Sequence, residues 1–206
     1  MKAFVTGTDT GVGKTFVTAL LARALRASGH DTIALKPLSS GDRSDAEALR
    51  SACDNELSLD EVNPFWFRAP LAPLAAARME DRRISLESLC SWFQTISAER
   101  KSVLVEGAGG WLAPVADRAT VADLCAAFRL PVIVVAANRL GCVNHILLTL
   151  ESIRARDLDC LGIILNAATG PDDSSGTNRA LLEEFTDVPV LLEVASGQAE
   201  LRLPLF

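Results

Sequence analysis

The run Gly7-Thr8-Asp9-Thr10-Gly11-Val12-Gly13-Lys14-Thr15 has the residue types that hold a polyphosphate. Glycines let successive backbone N–H groups turn toward phosphate oxygens, a lysine reaches the outer phosphates, and a threonine hydroxyl ligates magnesium. Gly11, Val12, Gly13, Lys14 and Thr15 fill those places. The usual spacing puts a glycine five positions before Gly13, where this chain has Thr8, so the loop is one residue longer counted from Gly7. Two further groups stand where apolar runs end. Lys36 follows Thr32-Ile33-Ala34-Leu35, and Glu106 follows Val103-Leu104-Val105. In open α/β sheets, ligands sit beyond the carboxyl ends of strands. A lysine delivered there serves phosphate, and a carboxylate delivered there needs a cation or donors, because an unpaired buried charge is costly. Asp45, in Ser44-Asp45-Ala46, reads from position alone as a first-turn acid of a helix capped by Ser44 or Asp42.

The elements that must carry these groups alternate along the chain. Ala3–Thr6 reads as a strand, and Phe16, Val17, Leu20, Leu21, Ala24 and Leu25 keep helical spacing up to a C-terminal Gly29. Residues 55–82 carry Pro64, Pro70 and Pro73 and predict a loop-rich excursion, with Phe65-Trp66-Phe67 pinning it to the core. Ile84–Ile96 predicts a crossover helix. Pro131–Ala137 is a continuously apolar strand ending at Asn138, and the helix opening near Gly141 or Asn144 presents an N-terminus suited to a carboxylate or phosphate. Within it, Cys142 reads as a packed small residue and His145 as a first-turn residue. Leu161–Leu165 gives a fifth strand ending at Asn166; a polar loop at Gly170–Gly176, a helix at 177–185 and a short strand at Val190–Leu192 follow. The fold class is therefore α/β and P-loop NTPase-like, a mostly parallel sheet with helices on both faces and right-handed crossovers.

The totals set bounds. A length of 206 residues predicts one domain spanning 1–206. The balance of 49% hydrophobic and 22% charged residues is that of a globular protein, and a net charge of −6 speaks against nucleic acid or anionic membrane as partner. Five cysteines without CxxC spacing predict neither a disulfide framework nor a zinc site, and point to a reducing cytoplasm. The first strand begins near Met1, leaving no room for a signal peptide, and no apolar run approaches the ~18 residues of a membrane span.

Together, the long glycine loop, Lys36-Pro37 with Ser39-Ser40-Gly41, Ser44-Asp45-Ala46, Val105-Glu106-Gly107-Ala108-Gly109-Gly110 and Leu140-Gly141-Cys142-Val143-Asn144-His145 resemble the dethiobiotin synthetases, including their lengthened P-loop. The resemblance implies ATP as co-substrate and Mg2+ held by Thr15, Asp45 and Glu106. It implies phosphate binding by Lys14 and Lys36, with Thr10 beside them at the reacting centre. Thr10, Lys36 and Ser40 would face the diamine and its carbamate, and Asn166 would lie near the nucleotide base. The implied reaction joins 7,8-diaminopelargonate and CO2 into a ureido ring, through a carbamate and a carbamic-phosphoric anhydride. It further implies a homodimer in which Gly141, Cys142 and Asn144 of one subunit bind the substrate carboxylate of the other. The chain departs from the family pattern at Leu192 and Ala195, around Glu193-Val194. The alternative is a regulatory P-loop ATPase of the partition or cell-division type. Such proteins carry a lysine at the start of the loop, where this chain has Thr6-Gly7-Thr8.

Overall fold

The computed structural model describes residues 1–167 and 172–201. Along the chain lie β1 (Lys2–Gly7), α1 (Lys14–Ala27), β2 (Thr32–Leu35), β3 (Leu38–Ser40), α2 (Ser44–Ala52), α3 (Leu59–Val62), β4 (Phe65–Phe67), α4 (Pro73–Met79) and α5 (Leu86–Ser97). Then come β5 (Ser102–Glu106), β6 (Pro114–Ala116), β7 (Ala119–Thr120), α6 (Val121–Phe128), β8 (Val132–Ala137), α7 (Cys142–Arg154), β9 (Cys160–Asn166), α8 (Asn178–Phe185) and β10 (Val190–Val194). Of the polar loop expected at Gly170–Gly176, Gly170 and Pro171 lie outside the described residues.

The main sheet has six strands in the order β10-β9-β8-β1-β5-β2, and each pairing is parallel. Strands buried on both faces must be apolar throughout, which is how these six read in sequence. Alternation then divides β1 between two layers. Ala3 and Val5 pack with Val17, Leu20 and Leu21 of α1, whereas Phe4 points to the other face among Phe93, Leu124 and Phe128. Phe93 and Phe128 stack with ring centroids 4.4 Å apart, joining α5 to α6. Because β1 pairs β5 on one side and β8 on the other, its loop opens at the middle of the sheet's carboxyl edge. No helix among the described residues is long and apolar enough to cross a membrane.

Two stretches differ from expectation. Residues 55–82 are more regular than their prolines suggested. Ser58 and Glu61 form a reciprocal capping box on α3, Pro73 sits in the first turn of α4 where it costs no hydrogen bond, and β4 pairs in parallel with β3. The aromatic triplet does pin this excursion: Phe67 is buried, and Trp66 Nε1 donates to Gly41 O at 2.7 Å. Secondly, α2 has Arg43 at its N-cap, while Asp42 accepts from the Ser44 N–H one residue inside the helix.

Helix α6 was not anticipated, although its signal is in the chain. Thr120 accepts from Asp123 N, and the Asp123 carboxylate accepts from Thr120 N, just ahead of the apolar residues Val121, Leu124, Cys125 and Phe128. Thr120→Ala is expected to cost about 1 kcal/mol of stability by removing this cap. Urea denaturation checks it, and an unchanged midpoint would show that packing alone holds the helix.

Candidate active site

The loop after β1 closes tightly. A Cβ on Gly7 would stand 2.8 Å from Val12 Cγ2 and 2.9 Å from Asp9 O, so only glycine fits. Gly13, the N-cap of α1, has φ +86°, a conformation that glycine adopts without strain. The loop is thereby bent over the helix start, where unpaired N–H groups and the helix dipole favour an anion. Lys14 curls back along it, donating from Nζ to Asp9 O at 3.0 Å. On the far side, Asn166 Nδ2 at the end of β9 donates to Val12 O at 2.9 Å and props the loop from beneath.

Beside Lys14 lies a buried charge cluster. Glu106, at the end of β5, has no exposed surface. Its Oε1 accepts from Thr15 Oγ1 at 2.8 Å and from Lys36 Nζ. Lys36, at the end of β2, is 3% exposed and also donates to Asp45 Oδ2 at 2.7 Å. Its backbone is held from both sides, its N–H by Val62 O and its carbonyl by Asn63 Nδ2. Asp45 therefore turns from the first turn of α2 into the cluster, where sequence position alone had made it a helix-dipole acid.

The charges shift one another. Burial alone would lower the Lys36 pKa, but Glu106 and Asp45 outweigh it and hold it above the usual lysine value. Burial likewise works against the Asp45 carboxylate, and the Lys36 ammonium overcomes it, so the pKa falls below the usual range. Lys14 has no comparable partner. Burial first, and the nearby Lys36 charge second, bring it down to about 8. At about 8 it still carries its charge at neutral pH, and an anion placed beside it would raise the value.

Two clefts flank this cluster. One, of about 460 Å³, is lined by Thr10, Lys36, Ser40 and Asp45 together with Leu71, Pro73 and Gly109. The other, of about 430 Å³, is lined by Thr8, Asp9, Thr10, Trp111, His145 and Thr149. Thr10 is exposed and borders both. A more apolar groove of about 490 Å³ runs past Lys2, Leu25, Leu161 and Leu192, toward the opposite ends of the strands, and carries none of these groups.

Seven of the expected residues thus meet: Thr10, Lys14, Thr15, Lys36, Ser40, Asp45 and Glu106. Asn166 touches the loop from below, fully buried. Gly141, Cys142 and Asn144 line neither cleft of their own chain; Gly141 and Asn144 are exposed at the start of α7, while Cys142 is buried. Asn63 was missed. Asn63-Pro64 reads as a chain breaker, and nothing local shows that its amide braces Lys36.

Among the described residues, no group of three or more His, Cys, Asp or Glu could hold a metal ion alone. Thr15, Asp45 and Glu106 nevertheless present hard oxygen donors at one point, and Glu106 Oε2 is buried without a protein partner. That set suits magnesium, which takes one or two carboxylates and fills its remaining positions with phosphate oxygens and water.

Comparison with known proteins bears on the family and the fold. An AAA domain family pattern matches residues 2–198. An ATP-dependent dethiobiotin synthetase of Akkermansia muciniphila is 43% identical over 195 residues, covering 94% of this chain and 92% of that protein. Another, from Anaeromyxobacter dehalogenans, is 51% identical over 174 residues, covering 82% and 78%. Among solved structures, the septum site-determining protein MinD of Pyrococcus horikoshii has a TM-score of 0.57 at 17% identity, covering 95% of this chain and 82% of its own. The signal recognition particle receptor FtsY of Elizabethkingia anophelis has a TM-score of 0.57 at 14% identity, covering 93% and 57%. At such identities the structural likeness is one of fold, that of the P-loop NTPases.

Lys36→Ala leaves Glu106 buried without its cation, and is expected to cost about 3–5 kcal/mol of stability. Urea unfolding at neutral pH checks this. A loss below about 1 kcal/mol would mean that water reaches Glu106 as readily as the lysine does.

Proposed function

The chain belongs to the ATP-dependent dethiobiotin synthetases, and on that premise we propose that it converts 7,8-diaminopelargonate and CO2 to dethiobiotin, with release of ADP and phosphate. The observation that carries this reading is the convergence of Lys36, Asp45, Glu106 and Thr15 beside the Lys14 loop, with an open cleft next to it. Such an array fits a reaction needing positioning and charge stabilisation rather than a side-chain nucleophile.

In the proposed sequence, one substrate amine attacks CO2 and loses a proton, giving a carbamate. A carbamate oxygen attacks the γ-phosphorus of ATP and ADP departs. The neighbouring amine then attacks the carbamoyl carbon of the mixed anhydride, phosphate leaves, and the five-membered ring closes. The N–H groups of Gly11, Val12 and Gly13 cradle the phosphates, and Lys14 spans the outer two. Lys36 lies between phosphate and carbamate, neutralising charge as the phosphoryl group moves. Thr10 and Ser40, on the walls of the 460 Å³ cleft, orient the diamine and carbamate. Asn166 braces the phosphate loop close to the base. Thr15, Asp45 and Glu106 would hold Mg2+, which when bound supplies Lewis-acid charge neutralisation on the phosphate oxygens.

The proposal includes a homodimer. Leu112 and Leu148, 53% and 57% exposed, stand on the second cleft, an apolar patch suited to a second copy of the chain. The α7 start, with its exposed Gly141 and Asn144, then serves the partner's site as the seat of the diamine carboxylate. The reading also includes a reducing, cytoplasmic setting, in keeping with five unpaired cysteines. The 43–51% identity to synthetases, against 17% to MinD, favours the metabolic enzyme over a regulatory ATPase.

Incubation of the purified protein with ATP, Mg2+, bicarbonate and the diamine tests the function, with dethiobiotin read by mass. ATP hydrolysis indifferent to both diamine and bicarbonate would overturn it. Asp45→Asn is expected to raise the Mg2+ concentration for half-maximal activity several-fold, by removing one charge from the ion's surroundings; a superimposable titration would remove Asp45 from the metal site. A third expectation concerns symmetry. Lys14→Ala and Gly141→Glu homodimers are each inactive, yet subunit exchange between them should restore activity, because one mixed site receives both defects and the other neither. Proven exchange without restored activity would place the whole site within one chain.

A further inference from the structure

Helix α7 starts without a cap of its own. Its N-cap is Gly141, at φ +89°, which has no side chain to bond the first turn. Only Asn138 to Gly141 separate the helix from β8. These residues are gripped instead by the segment that leads into α8. Asn138 Oδ1 accepts from Asn178 Nδ2 at 2.8 Å, Asn138 Nδ2 donates to Ser175 O at 3.3 Å, and Asn138 O accepts from Ser175 Oγ at 2.9 Å. Two residues on, Leu140 N donates to Asp172 Oδ2 at 2.8 Å.

The grip is built for rigidity. Asn138 and Asn178 are 6% and 4% exposed, so each amide left unpaired would be costly. Asp172 is itself locked: the Ser174 hydroxyl and the Leu140 N–H hold its carboxyl at about 2, so it stays an acceptor at any physiological pH. The bonds also continue inward. Asn138 N donates to Asn166 O at 2.8 Å, and Asn166 Nδ2 donates to Val12 O of the phosphate loop. An unbroken path of hydrogen bonds therefore joins the phosphate loop to the start of α7, two places that act on different ligands in the reading above.

We propose that Asn178 and Asp172 are positioning residues for the N-terminus of α7, holding the Gly141–Asn144 carboxylate seat at a fixed offset from the phosphate loop. The proposal rests on the reading that this seat takes the diamine's carboxylate. It separates the two substrates. Loosening the grip displaces the seat, whereas Lys14, Thr15 and Glu106 keep their own supports.

Asn178→Ala is expected to raise KM for the diamine about tenfold, equivalent to one lost buried hydrogen bond, with kcat and KM for ATP within about twofold of wild type. Asp172→Ala keeps the buried amide pair and removes an exposed partner, so it reads the same effect, at about threefold, if the first variant folds poorly. Because the seat serves the opposite subunit, exchange of Asn178→Ala with Lys14→Ala subunits should return KM for the diamine to the wild-type value. The one live site then combines a sound phosphate loop with an undisturbed seat. A parallel rise in both KM values, no change in either variant, or a raised diamine KM that survives exchange would each overturn the proposal. A wild-type protein that forms no dethiobiotin would instead refute the underlying reading. Failure of Lys14→Ala and Gly141→Glu to complement would refute the shared site alone.

Discussion

Glu106 is a carboxylate with no exposed surface, and the arrangement around it follows from that. A buried charge must be matched at short range or it unfolds its surroundings. Lys36 matches it from β2, Thr15 donates to it from α1, and Asp45 closes the cluster from α2. Three elements far apart in sequence are thus tied to the end of β5. The ties are unequal, since Glu106 Oε2 is buried without a protein partner among the described residues.

The neighbouring Lys14 presents the opposite situation. Lys36 spends its charge on two carboxylates, whereas Lys14 has only a carbonyl within bonding distance and is held at a depressed pKa. One lysine is bonded to carboxylates, and the other has no anion within bonding distance among the described residues. Both ammonium groups are held in place by the fold, the condition that electrostatic preorganisation requires.

Most of this was legible in the chain where local pattern and tertiary role coincide. The glycine loop, the apolar strands and the charged residues at their ends all carry their signal within a few residues. Legibility failed where a role depends on distant partners. Asp45 has the sequence context of any first-turn acid, and only the arrival of Lys36 nine residues earlier in the chain but across a turn in space makes it part of the cluster. Asn63 has the context of a breaker before proline, and its bond to Lys36 O spans 27 residues. The grip of Asn178 on Asn138 spans 40. Gly141, Cys142 and Asn144 are a different case, because the chain presents them to solvent or core and brings none of them to its own clefts. Helix α6 is a simpler case, since its Thr120–Asp123 capping box stands directly ahead of its apolar residues and its whole signal is local.

The position of β1 has a consequence for synthesis. It leaves the ribosome before either of its partners, yet it lies in the interior of the sheet, with Lys2 beside Val103 and Phe4 beside Val132. At about 5–20 residues per second, its first neighbour follows on the order of ten seconds later and its second later still. Through that interval both edges of β1 stay without their native strands. The nascent chain must shelter this apolar segment by other means until Ser102–Glu106 and Val132–Ala137 have been made.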